Sequence, residues 1–65
     1  MFAVVFKRVD NQPDEVFYYK NEIDAVYHFE LFIDDDSGLY SKISLLKVDE
    51  QREIRYNILT YYAMM

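Results

Sequence analysis

The stretch NEIDAVYHFELFIDDDSG, residues 21–38, decides how this chain folds. It reads as the only helix and the loop that ends it. Asn21 suits the N-cap, because its side-chain oxygen can accept from a free amide of the first turn. Glu22 and Asp24 follow, and acids there suit the positive end of the helix dipole. No Pro or Gly interrupts the next stretch of roughly three to four turns. Gly38 then offers a left-handed stop.

The apolar positions repeat at helical spacing. Ala25, Val26, Phe29, Phe32 and Ile33 share one face, wide enough to lie on a sheet. Ile23, Tyr27 and Leu31 step by four residues and point the opposite way. A surface helix is normally polar there, so this row is the first candidate contact site for a partner. Asp34, Asp35 and Asp36 complete the candidate site. They stand at the negative end of the dipole, which disfavours anions by roughly 0.3–1 kcal/mol each. A local rule broken without visible compensation points to function.

Charge is uneven along the chain. Glu22, Asp24, Glu30 and the three consecutive aspartates lie in this stretch, and no Lys or Arg occurs between Lys20 and Lys42. The rest is nearly neutral, while the net charge is −5. Phosphate repels an acidic face, so direct nucleic-acid binding is disfavoured. Anionic membrane surfaces are disfavoured for the same reason.

Outward from the helix, each flank reads as a β-hairpin. Residues 2–9 are rich in β-branched and aromatic side chains. Phe2, Val4 and Phe6 point one way, and Ala3, Val5 and Val9 the other, so this strand is expected inside the sheet with both faces covered. Residues 10–14 form a turn cluster of Asx, Gln and Pro. Residues 15–20 are a shorter strand, with Val16 and Tyr18 on one face and Phe17 and Tyr19 on the other. Residues 39–49 make a third strand, with Leu39, Ile43 and Leu45 on one face and Leu46 and Val48 on the other. An apparent slip at Leu45–Leu46 suggests a bulge or a change of burial. The connection at 49–52 lacks Gly, which favours a loop built on a type I turn. Residues 53–62 alternate cleanly: Ile54, Tyr56, Ile58 and Tyr62 are expected to face in, and Glu53, Arg55 and Asn57 to face out. Residues 63–65 are expected to fray.

The pattern is ββαββ, an α+β fold. A right-handed crossover carries the helix over the first strand. This gives a four-stranded antiparallel sheet of order 2-1-3-4 with the helix on one face. Order 2-1-4-3 is the alternative. The other face is left showing Tyr and Phe, which marks a second contact surface.

Sixty-five residues imply one small domain, 1–65. A chain this short buries only about 60% of the surface that its unfolded form exposes. It has no Cys to staple it, but twelve aromatics, seven Tyr and five Phe. Oligomerisation is a common remedy for so small a core. The first residues lack the pattern of a signal peptide. No apolar run nears the roughly 20 residues of a membrane span. A complete, cytoplasmic protein is expected.

Motifs for chemistry are weak. His28 is the one histidine, and no Ser or Cys nucleophile stands in a recognisable arrangement with it. It reads as a partly exposed structural residue. The Asp34–Gly38 run fails the EF-hand pattern, since Leu39 and Leu45 fall where Gly and Glu are required. No Gly-rich phosphate loop is possible with one Gly. Lys7, Arg8 and Arg55 would cluster only if the first and fourth strands lay close. The expectation is a non-enzymatic protein-interaction domain without cofactor or metal, partnered by a second copy of itself. Its contacts would be the row Ile23, Tyr27, Leu31 or the open sheet face. The alternative is an acidic decoy, mimicking DNA as a phage-type inhibitor might, whose helix and loop dock on the basic groove of a nucleic-acid-binding protein.

Overall fold

The structure, a computed structural model, describes residues 1–34 and 38–63. The elements run β1 (Phe2–Arg8), β2 (Glu15–Tyr19), α1 (Glu22–Ile33), β3 (Tyr40–Val48) and β4 (Ile54–Tyr62). They form one four-stranded sheet of order β2-β1-β3-β4, with every neighbouring pair antiparallel. This is the α+β arrangement that the crossover argument predicts.

Strand β1 is central because both of its faces are apolar. Val4 and Phe6 are 0% and 1% exposed and face α1; they pack with Ala25, Phe29, Ile43 and Leu45. Phe6 is ringed by aromatics. Phe32 stands edge-on at 4.4 Å between centroids, Tyr40 at 4.9 Å and Phe17 at 5.6 Å. The Phe32 and Phe17 contacts are edge-to-face and Tyr40 is tilted at 45°; edge-to-face pairs add roughly 0.5–1.5 kcal/mol each beyond the area that they bury. On α1, Ala25 and Phe29 are buried while Val26, Phe32 and Ile33 complete the sheet-facing side, as their spacing implies.

Ala3, Leu46 and Val48 form a second cluster on the face away from the helix, flanked by Met1 and Val5. Arg52, in the β3–β4 loop, reaches across this face and sets its guanidinium 4.5 Å from the centre of the Tyr18 ring. Tyr18 lies beside Ala3, and Ala3 beside Leu46, so the arm of Arg52 helps to roof the cluster. The loop is organised by Asp49. Its carboxylate accepts from the amides of Gln51 and Glu53, both at 2.9 Å. The Arg52 amide donates to the Asp49 carbonyl, and the Asp49 amide to Glu53, both at 3.0 Å. Arg52 has φ 65°. This is the three-residue hairpin loop in which a type I turn is followed by a left-handed residue, with Arg at the site that glycine usually takes.

Several expectations need correction. Asn21 has the extended backbone of an N-cap, but its side chain makes no capping bond; its amide instead donates to Asp24 at 3.4 Å. The helix ends at Asp34 in a right-handed conformation. Gly38, with φ 74°, is left-handed, but it belongs to the approach to β3. The β1–β3 register slips between Lys7 and Arg8, where Ser41 is the extra residue. Tyr40, not Leu39, therefore joins Ile43 on the helix side. The irregularity expected at Leu45–Leu46 is present in the β3–β4 ladder, whose register shifts between these two residues, although both pair with β1 in register. The irregularities belong to β4, which inserts Ile58 and Arg55 as extra residues opposite β3. The ends expected to fray include residues 64 and 65, which lie outside the described residues.

Strand β4 departs most from its pattern. Ile54, Tyr56 and Tyr62 do not face in: they are 64%, 59% and 67% exposed. Only Ile58 packs against the core. The reason is geometric. Strands are about 4.8 Å apart, and a helix is about 10–12 Å across. One helix shields two strands and part of a third, and α1 lies over β1, β3 and β2.

Candidate protein-interaction site

Helix α1 presents a row that the sheet cannot use. Ile23, Tyr27 and Leu31 are 82%, 60% and 50% exposed. Their spacing of four residues stacks them along one line of the helix. A shallow groove of about 390 Å³ runs beside them, lined by Glu22, Ile23, Val26, Tyr27 and Glu30. A second hollow of about 650 Å³ is lined by Phe2, Lys20, Asn21, Glu22, Ile23 and Asp24. Ile23 thus lines both hollows. The apolar lining is Ile23, Val26, Tyr27 and Phe2; the groove beside the row is rimmed by Glu22 and Glu30, and the second hollow by Lys20 as well as acids.

The rim is uncompensated. Glu22, Asp24, Glu30 and Asp34 are exposed, and none of the ion pairs among the described residues involves them. Asp35 and Asp36 lie outside the described residues. The structure therefore places Ile23, Tyr27 and Leu31 on a helix that carries three acids, Glu22, Asp24 and Glu30, with Asp34 at its C-cap.

The row is held from beneath by His28. Its ring lies 5.0 Å from Tyr19, 5.7 Å from Tyr27 and 6.2 Å from Phe32. His28 is half-buried, and its Nδ1 has no hydrogen-bond partner among the described residues. Burial raises the Tyr19 hydroxyl above its usual range. Neither described β3 serine is set against His28: Ser41 donates to the Lys7 carbonyl at 3.3 Å, and Ser44 lies beside Val5 on the face away from α1. Among the described residues no group of three or more His, Cys, Asp or Glu side chains could hold a metal ion, and no helix is long and apolar enough to cross a membrane.

Basic residues do not gather into a patch. Strand β3 separates β1 from β4, so Lys7, Arg8 and Arg55 do not cluster. Arg8 instead clamps the β1–β2 loop, bonding Asp10 at 2.6 and 2.9 Å and Glu15 at 2.8 Å. Tyr40 donates to the same Glu15 carboxylate at 3.1 Å. Beside Arg8, the Asp10 carboxyl is held down at about 2, and the guanidinium is raised in turn. Arg55 meets Asp49 at 3.4 Å.

The open face of the sheet carries Tyr18 and Tyr62, but no Phe. Phe2, Phe6, Phe17, Phe29 and Phe32 all belong to the helix side. Sequence reading missed the exposed apolar run of β4. The strand order it predicted, combined with the width of one helix, was the signal that would have found it. No family model, curated protein or solved structure matches the chain.

Proposed function

We propose that the protein is a non-enzymatic protein-interaction domain whose contact face is the outward row of α1. The observation that carries this is the exposure of Ile23, Tyr27 and Leu31 on one line, bordered by Glu22, Asp24 and Glu30. Exposed apolar surface rimmed by polar groups is typical of a contact site. The matching partner has an apolar strip flanked by Lys or Arg, such as an amphipathic helix laid along the groove.

A second copy fits this face less well. Antiparallel pairing that mates Ile23 with Leu31, and Tyr27 with itself, sets Asp24 of one copy beside Glu30 of the other. Like charges in contact weaken such an interface. The acidic-decoy reading uses the same carboxylates, but it leaves the apolar row without a role.

The test is titration with an amphipathic helical peptide carrying Lys flanks, followed residue by residue by NMR. Shifts should concentrate on Ile23, Tyr27 and Leu31, and Ile23→Ser with Leu31→Ser should weaken binding at least about tenfold. A peptide with Glu flanks should not bind. Loss of binding on Asp34→Asn alone, with the Ser variants unaffected, would favour the decoy instead.

A further inference from the structure

The two edges of the sheet are built differently. Strand β2 has five residues, follows Pro13 and Asp14, begins at the ion-paired Glu15 and ends before Lys20. Short length, Pro and charge are the devices that blunt an edge against pairing. Strand β4 has nine residues and one charge, Arg55. Residues 56–63 carry no charge and no Pro. The extra residues Arg55 and Ile58 disturb its first half, but beyond them Leu59, Thr60 and Tyr61 pair with Leu45, Ser44 and Ile43 without a break, and Tyr62 with Lys42.

The free edge of that half can be placed by alternation. The Ala63 amide donates to the Ser41 carbonyl at 3.0 Å. Amides two residues apart point the same way along a strand, so Tyr61 also turns to β3, while Thr60 and Tyr62 turn their amides and carbonyls outward. Among the described residues no strand pairs with that edge.

We infer that a second copy of this chain docks there, with Thr60–Tyr62 of each copy paired antiparallel about a two-fold axis at Tyr61, Thr60 opposite Tyr62, to make one eight-stranded sheet. The outward amides and carbonyls of Thr60 and Tyr62 satisfy one another. Leu59 and Tyr61 of both copies meet on the helix side, and Thr60 and Tyr62 on the other. Charge selects the occupant. This edge meets its own copy without opposing like charges, whereas the α1 face does not. The blunted β2 edge offers no matching surface, so the contact closes as a dimer rather than growing into a filament. The site is separate from the α1 row, and the inference does not rest on the function proposed for that row.

The area sets the strength. Leu59, Tyr61 and Tyr62 are 46%, 38% and 67% exposed, which amounts to about 300 Å² of side chain per copy. A standard interface buries about 800 Å² per partner, so the dimer is weak.

Sedimentation equilibrium over about 10–500 µM protein tests the inference. The expected result is a reversible monomer–dimer equilibrium with nothing larger. Thr60→Pro removes an outward amide that β3 does not use, and it should weaken the dimer at least about tenfold while circular dichroism keeps the folded signal. If that variant does not fold, Tyr62→Lys supplies the same test by placing a charge on the edge. Leu31→Ser should leave the dimer intact. A monomer throughout the range, assemblies that grow beyond a dimer, folded edge variants that still dimerise, or loss of the dimer in Leu31→Ser would each overturn the inference.

Discussion

Strands β1 and β4 are apolar ribbons of one sheet, yet they finish in opposite surroundings. Val4 and Phe6 of β1 are almost wholly buried, whereas Ile54, Tyr56 and Tyr62 of β4 lie largely in water. The alternation of β4 is the cleaner of the two on paper. What separates them is position. Strand β1 has a neighbour on each side and α1 above it, while β4 has one neighbour and little helix over it. Periodicity says which side chains share a face. It does not say whether that face is covered.

Phe6→Ala probes the covered end of the comparison hardest. The ring fills the space between Phe17, Phe32 and Tyr40. Deleting a buried Phe costs about 3–5 kcal/mol through lost transfer energy and the cavity left behind. That is a large share of the stability of so short a chain. Urea denaturation should find the variant largely unfolded. A loss under about 1.5 kcal/mol would mean that β1 is not the centre of the core.

The interior position of β1 was legible because both of its faces are apolar, but that position left order 2-1-4-3 open beside the observed 2-1-3-4, which the right-handed crossover favoured. The core face of α1 was legible from Ala25, Val26, Phe29, Phe32 and Ile33. Of the bulges, only the one at Leu45–Leu46 was marked, by its slip in alternation, and which residue is the extra one was not legible. Ser41, Arg55 and Ile58 have no property that marks them as the extra residue, since bulges settle mismatches between strands that no single strand encodes. Leu39 was misassigned to the helix side for this reason: the extra Ser41 passes that role to Tyr40. Arg52 was hidden by its own identity, because a left-handed residue is read from Gly or Asn. Of the candidate site, the row Ile23, Tyr27, Leu31 was visible as surplus apolar residues on an otherwise satisfied helix. The exposure of β4 was not, because sequence periodicity contains no term for the width of the covering layer.

Arg52 sharpens the comparison, because it roofs the open face beside β1 and lies in the loop that leads into β4. Two effects oppose each other there. The left-handed backbone costs a non-glycine residue about 1 kcal/mol or more, and stacking on Tyr18 returns roughly 0.5–1 kcal/mol. Arg52→Ala loses the stack and keeps the strain; Arg52→Gly loses both. The Gly variant should therefore be the more stable of the two by about 1 kcal/mol, and close to the parent. Thermal melts of the three proteins decide it. Equal stability of the Ala and Gly variants would remove the strain from the account.

The β2 edge answers to pH. The Asp10 carboxyl is lowered from 3.8 to about 2, chiefly by its hydrogen bonds from Arg8. A carboxylate depressed on folding contributes stability that is complete above its unfolded value and lost as pH falls through its folded value. The difference in melting temperature between the parent and Asp10→Asn should thus be steady above about pH 5 and close between about pH 4 and 2. A difference that is unchanged at pH 2 would mean that the Arg8 clamp does not operate in solution.

The smallest effect is expected at Ile54, and it tests the exposed end of the comparison directly. Ile54 sits where the alternation of β4 assigns a core residue, opposite Val48. Were it buried, Ile54→Ser would cost several kcal/mol for the lost apolar contact and the stranded hydroxyl. At 64% exposure the side chain has little apolar burial to lose, and the hydroxyl keeps its water. The change should stay within about 0.5 kcal/mol by urea denaturation, even though the same substitution class at Ile43, 3% exposed on the neighbouring strand, should be severe. A cost above about 2 kcal/mol at Ile54 would show that something covers the outer half of β4 in solution, and repeating the melt at tenfold lower protein concentration would tell a covering second copy, whose effect dilutes away, from a cover within the chain, whose effect does not.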